Sequence, residues 1–209
     1  MIIKFDHLSY SCSFKEEEDI VKRFCGTGCY TVQFKESIKN IPVKMQLMQN
    51  VNDTHGLTML QPVGGNSSQV YLPVEITSYS KVSGCSAYSL IDGIIEFKTV
   101  NLKESILFYQ QLGFQKESSG MLSLKTMLDR HNIYIRLSEC DESYSNCLDV
   151  TGFSSIAWII NKMEKYVKTL HEKGIKVTDI DTLTVHGRKL KICFVLGRQG
   201  EIIELIGVD

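Results

Sequence analysis

The sequence predicts an α+β fold assembled from repeated βαβββ modules. Three observations predict it: three similarly punctuated helix starts, β-rich segments on both sides of each, and a glycine-bearing hairpin near the C-terminal end. The helix starts read "SFKEEEDIVKRFCG" from Ser13, "NLKESILFYQQLG" from Asn101 and "NKMEKYVKTLHEKG" from Asn161. Each opens on a good N-cap residue with a glutamate three positions on (Glu16, Glu104, Glu164), the spacing of a capping box. Each ends near a glycine (Gly26, Gly113, Gly174), where a helix favours a left-handed residue.

The strands follow in order. "FDHLSYSC", "IIEFKTV" and "SSIAWII" precede the three helices and are rich in β-branched and aromatic residues. After the first helix "YTVQFKE", "PVKMQLMQ" and "GLTMLQP" read as strands; after the second, "MLSLKTM" and "NIYIRLS"; after the third, "KVTDI", "KLKICFVL" and "EIIELIGV". "GRQG" joins the last two as a short hairpin loop. The first and second helix starts are further apart than the second and third. The excess falls in residues 63–93, a Gly/Ser/Asn-punctuated stretch with one candidate strand, "VYLPVEITSY". The expected organisation is a first module over 1–62, a linker with an extra strand over 63–93, and a consecutive pair of modules over 94–209, divided as 94–150 and 151–209.

Composition excludes several classes. The chain has 209 residues, 43% hydrophobic and 22% charged, as expected of a globular protein. A formal net charge of −1 carries no electrostatic footprint for nucleic acid. No apolar run is long enough to span a bilayer. The N-terminal "MIIKFDHLSY" lacks a signal-peptide pattern, and seven cysteines, an odd number lying mostly in strand-like stretches, favour a reducing cytoplasm over a disulfide framework. Cys25 and Cys29 have the spacing of a zinc ligand pair, but no comparable second pair answers them.

The C-terminal strand "GEIIELIGVD" raises the sharpest chemical question. Glu204 stands among Ile202, Ile203, Leu205 and Ile206, and a carboxylate buried in such a strand requires a cation, a metal or a proton. His7 shares a strand face with Ser9 and Ser11 and titrates near neutrality, as a ligand or general base does. Arg136 alternates with Tyr134 and Ser138, and a guanidinium there suits an anionic group or Glu204 itself. Phe108, Tyr109 and Trp158 suit core packing, although the strand position of Trp158 also suits a pocket wall, and His186 lies in a loop that suits a cup mouth.

These features together resemble the vicinal oxygen chelate superfamily, which includes glyoxalase I, methylmalonyl-CoA epimerase, extradiol dioxygenases and bleomycin-resistance proteins. "VNLKESILFYQQLGF" is similar to its first-helix signature, "GRQGEIIELIG" to the hairpin whose strand carries a metal-binding glutamate, and "KFDHLSYSC" to the opening strand whose histidine is another ligand. The resemblance implies mixed sheets curled into a cup with helices outside. It implies one divalent metal held by a first-strand and a fourth-strand residue from each of two modules. Carried over, these positions are His7 with Thr58 or Met59, Ile94 or Ile95 with Arg136, and Ser155 with Glu204. Only His7 and Glu204 match, in modules that are not consecutive. Pairing of the second and third modules would give a metal-free cup in which Arg136 neutralises Glu204, and the ligand count favours that arrangement. Pairing of the first and third would bring His7 to Glu204 at a metal (Zn, Fe, Ni, Co or Mn), with Glu96, His131 or His186 completing the set.

Three functions follow from the resemblance. The first is an isomerase, epimerase or lyase acting by proton transfer on a small oxygenated metabolite. In it Glu204 and His7 are catalytic or metal-binding, and Arg136, Ser155 and Trp158 contact the substrate. The second is a non-catalytic protein that sequesters a small molecule. The third is an extradiol-type dioxygenase, which needs two histidines and a carboxylate for iron. The unpaired sheet of the first module predicts a homodimer.

Overall fold

The computed structural model of the protein describes residues 2–63, 70–129 and 131–208. Its elements, in chain order, are β1 (Ile2–Ser13), α1 (Glu17–Gly26), β2 (Tyr30–Lys39), α2 (Pro42–Met45), β3 (Thr54–Pro62), β4 (Val74–Tyr79), β5 (Tyr88–Ile91), β6 (Ile94–Thr99), α3 (Leu102–Gln111), β7 (Gln115–Lys116), β8 (Leu122–Leu124), β9 (Ile133–Glu139), β10 (Gly152–Asn161), α4 (Met163–Glu172), β11 (Lys176–Val177), β12 (Asp181–Val185), β13 (Arg188–Leu196) and β14 (Ile202–Val208). The α+β class holds: one mixed sheet carries all the described strands and is not closed into a barrel, and α3 and α4 pack into its larger apolar cluster.

Each module has the same strand order. The opening strand lies parallel to the last strand of its own module: β1 to β4, β6 to β9, β10 to β14. The others add outward from the last strand, as β4–β3–β2, β9–β8–β7 and β14–β13–β12.

The modules join differently from the consecutive pairing expected. β1 runs antiparallel to β10 from Ile2↔Ile160 to Ser11↔Gly152, so the first and third modules share one continuous seam. The second module meets β10 through β5, at Phe153↔Tyr88. β5 forms a hairpin with β6 and occupies the edge that β6 would otherwise offer to a partner module. The open sheet of the first module is therefore covered within the chain, and the dimer invoked to cover it is not required for that purpose.

Two local readings are corrected. "PVKMQLMQ" is not a strand: Pro42, with its fixed φ and no N–H to lose, opens the short helix α2. The third strand after α1 is instead β4, from the stretch read as a linker. At the third helix the cap falls on Lys162, in a left-handed conformation with φ 52°, rather than on Asn161. Asn101 does cap α3, its Oδ1 accepting from the Glu104 N–H at 3.2 Å. At α1 the cap likewise moves, from Ser13 to Glu16, whose carboxylate accepts from the Ser13 N–H at 3.1 Å in the turn before the helix and caps no helical N–H.

The two faces of the seam are buried differently. Phe5, Leu8, Ile156, Trp158 and Ile160 pack against Phe97, Tyr109, Phe114 and Ile135 of the second module. The opposite face looks into the cup, where Ala157, Phe194 and Ile206 pack with Val43 and Leu47 from the α2 segment. Trp158 is fully buried, edge-on to Phe5 and Phe114 with centroids at 5.3 and 5.8 Å. It is a core residue on the face away from the cup, which corrects its assignment as a substrate contact. Replacing it with alanine is expected to cost about 3–5 kcal/mol, as for other buried aromatics. Denaturant unfolding of Trp158→Ala checks this; a loss below about 1 kcal/mol would contradict the packing described.

Candidate functional site

The parallel strand pairs fix which residues of the modules correspond. Glu75 on β4 is in register with Ser9 on β1, and Glu204 on β14 with Ala157 on β10. Arg136 on β9 is in register with Glu96 on β6. Two residues before these partners on the opening strands stand His7, Ser155 and Ile94. The three modules thus present the pairs His7/Glu75, Ser155/Glu204 and Ile94/Arg136 at matching places. Because β1 lies against β10, the first and second of these pairs face one another.

A β-bulge at the entry to the site aims its histidine. Phe5 opposes Trp158 and His7 opposes Ala157, so Asp6 is the extra residue. The bulge lets Phe5 point into the core while His7 points into the cup. The Asp6 carboxylate holds His7 Nδ1 at 2.9 Å, leaving Nε2 directed inward. There it lies 3.5 Å from Glu75 Oε2, within ion-pair reach, but makes no hydrogen bond.

His7, Glu75 and Glu204 are all buried, and each offers a ligand atom within 4.8 Å of the other two. Among the described residues this is the group placed to hold a metal ion. Ser155, at the fourth corresponding place, is fully buried with an unpartnered hydroxyl. The donor set fits a divalent ion: one imidazole nitrogen freed by a carboxylate behind it, two carboxylates, and an unsatisfied hydroxyl alongside.

One further charge completes the site. Lys44, carried by α2, is buried, and its Nζ lies 3.6 Å from Glu204 Oε1. Burial opposes its charge, but Glu204 and Glu75 outweigh that and hold it above the ordinary lysine value, so it is a cation. Burial raises the Glu204 carboxyl above the usual range, Lys44 working against the rise and Glu75 with it. For His7 burial favours the neutral ring, yet Glu75 and Asp6 overcome it and push the pKa up to about 9. The partner required by Glu204 is thus Lys44, not Arg136.

A cavity of about 420 Å³ opens over these groups. That volume suits a small organic ligand. Leu183, Val185, Leu190, Ile192 and Ile206 form its apolar side, and Gln33, Gln61 and Arg188 line it as well. His186 stacks on Phe34 across the mouth at 5.3 Å, and its N–H donates to Glu36 at 2.7 Å, tying the β12–β13 turn to β2. A larger cavity, about 700 Å³, lies beside α3, α4 and the terminal hairpin. Several of its charges are engaged: Arg198 faces Glu104 at 3.5 Å, Glu201 accepts from Ser105 and from the Gln199 N–H, and Lys173 Nζ donates to the Gln111 carbonyl at 2.8 Å.

Of the residues singled out by sequence, His7, Glu204 and Ser155 come together. Arg136 does not. It is half-exposed on the second module and paired with Glu96 at 2.6 Å, outside the cavity. That pair also takes Glu96 out of the ligand set. His186 reaches the mouth but not the cluster, and His131 is exposed elsewhere. The sequence reading misses Glu75 and Lys44 because the candidate strand bearing the first is assigned to the linker instead of the first module, and the helix bearing the second is read as a strand. Alternation in "VEITSY" around an acidic residue was the available signal for Glu75.

Solved structures share this architecture. Glyoxalase I from Zea mays matches over 98% of this chain and 92% of its own, with 13% identity and a TM-score of 0.59. Methylmalonyl-CoA epimerase from Mycobacterium tuberculosis matches over 100% of this chain and 89% of its own, with 8% identity and a TM-score of 0.48. No protein-family model matches the chain, and no curated protein matches it by sequence. The likeness is one of fold, shared with glyoxalase I. No helix among the described residues is long and apolar enough to cross a membrane.

The raised His7 pKa has a defined consequence for metal-free protein. A group whose folded pKa exceeds its unfolded value adds stability that is complete below the unfolded pKa, near 6.5, and is lost as pH rises through the folded one, about 9. In chelator-treated protein, unfolding free energy is expected to decline between pH 6.5 and 9, and His7→Gln to flatten that decline. An unchanged slope in the variant would contradict the assigned charge state.

Proposed function

We propose that the protein is an isomerase or lyase that moves a proton next to a carbonyl of a small oxygenated metabolite, using a divalent ion in the cup. The observation carrying this reading is the convergence of His7, Glu75 and Glu204 within 4.8 Å at the floor of a ligand-sized cavity. His7 Nε2 and the two carboxylates would hold the ion, which when bound supplies Lewis-acid polarisation of substrate oxygens. Asp6 fixes the His7 tautomer and ring orientation. Glu204, whose burial raises its carboxyl above the usual range and so makes it a stronger base, takes and returns the substrate proton. The aliphatic wall excludes water, and Gln33, Gln61 and Arg188 orient polar groups of the substrate. Arg188 sits at the rim and takes over the anion-anchoring role expected of Arg136.

A second reading is favoured by one observation: Lys44 already neutralises Glu204, so the cup is electrostatically complete without an ion. On that reading the protein sequesters a metabolite and performs no chemistry. We place the enzyme first because His7 Nε2 and Ser155 Oγ remain unsatisfied without a ligand.

Metal analysis of protein purified without chelator separates the two. Near-stoichiometric Zn, Fe, Ni, Co or Mn is expected in the parent and a loss of at least about tenfold in affinity in His7→Ala, Glu75→Ala and Glu204→Ala, since even the groups that only orient metal ligands matter on that scale. Absence of metal after incubation with each ion would favour sequestration.

A further inference from the structure

The cup contains a feature that opposes a divalent ion. Lys44 puts an ammonium in the same cavity wall as the ligand group, 3.6 Å from one oxygen of Glu204. It is 3% exposed, so this is not a surface lysine leaning inward. Its backbone is anchored on every side. The Asn40 N–H donates to Asp53 O at 2.8 Å before α2, and the Leu148 N–H to Leu47 O at 2.7 Å after it. The Asp149 carboxylate then accepts from the N–H groups of Gln49 and Asn50 at 2.8 and 2.7 Å. Val43 and Leu47, flanking Lys44, are buried in the cluster that includes Phe194 and Ile206 of the third module. The chain builds α2 into the cup and delivers a fixed positive charge to it.

We propose that Lys44 is a tethered competitor for the cation position. Its ammonium neutralises Glu204 when no divalent ion is held, and it lowers the affinity of the cup for such an ion. The inference rests on the metal site described under the proposed function. Its physical basis is simple. An ion held by His7, Glu75 and Glu204 lies close to Nζ, and two positive charges at that range in a buried site repel strongly. An ionised Glu204 left with no cation beside it is costly, as any unpaired buried carboxylate is. One carboxylate therefore serves two alternative cations, and ion loading becomes conditional on concentration. Binding of the ion and release of the lysine are linked, so removing the lysine must change both ion affinity and metal-free stability.

The test uses the full chain, stripped with chelator, and titrates it with Zn²⁺ and Co²⁺ by calorimetry and by thermal unfolding. Lys44→Met keeps the apolar stem and removes the charge; Lys44→Gln is a second neutral variant should the first fail to fold; Lys44→Arg keeps the charge. Both neutral variants are expected to bind either ion at least about tenfold more tightly than the parent, within the usual range of such couplings. They are expected to melt lower than the parent without ion and to gain more on adding it. Lys44→Arg is expected to bind like the parent. Equal or weaker binding by a folded neutral variant overturns the proposal while leaving the metal-site reading intact. Binding by the neutral variants alone upholds it and overturns the metal-loaded reading of the parent. Binding by none overturns both.

Discussion

Everything in this molecule depends on the antiparallel pairing of β1 with β10. Along that seam the chain brings together two modules separated by the whole of a third, and each strand keeps its own module's last strand on its other edge. The pairing is long-range, joining residues more than 140 positions apart, and so carries a large loop-closure cost that only extensive burial offsets. The burial is there: one face of the seam is sealed by the second module, the other by α2 and the strands of the third. The face turned into the cup retains a small polar group of residues, His7, Ser155, Glu75 and Glu204, and the proposed function rests on that exception.

Electrostatics follows from this placement. Two carboxylates from different modules, Glu75 and Glu204, are held near each other out of water, and such an arrangement is stable only with positive charge between or beside them. The chain supplies two sources, a histidine steered by Asp6 and a lysine delivered by α2. Both are poised in ways that a purely structural ion pair does not require: His7 keeps one nitrogen free, and Lys44 touches only one oxygen of Glu204. Among the described residues, the second module, whose matching positions are Ile94 and Arg136, forms no comparable centre. Its sheet supports the seam from behind.

Much of this was legible in the sequence, and the remainder fails for identifiable reasons. The helix starts, most strands and the terminal hairpin are local features, written in caps, glycines and alternation, and they were readable. Glu204 announced itself as a charge in an aliphatic strand. Its partner did not, because a lysine in "PVKMQLMQ" has no local mark of burial: both its burial and its ion pair are made by contact with strands far along the chain. Glu75 was hidden by β4, six residues long, behind a Gly/Ser-rich stretch that reads as a boundary. Arg136 occupies on β9 the register place that Glu75 and Glu204 occupy on β4 and β14. The error lay in the choice of module partner, and nothing local in β5 signals that it closes the edge of β6. Trp158 alternates with Ser155 and Ala157 across β10, and which of its two faces meets the cup is decided by packing against the distant second module.

The most direct test of this account is anomalous diffraction at the absorption edge of Co²⁺ or Zn²⁺ from crystals soaked in that ion. The account predicts one strong peak within about 2.0–2.2 Å of His7 Nε2 and of one oxygen each from Glu75 and Glu204. A peak elsewhere, or an ordered cup in which Lys44 still bridges to Glu204 and no peak lies near His7, would contradict it.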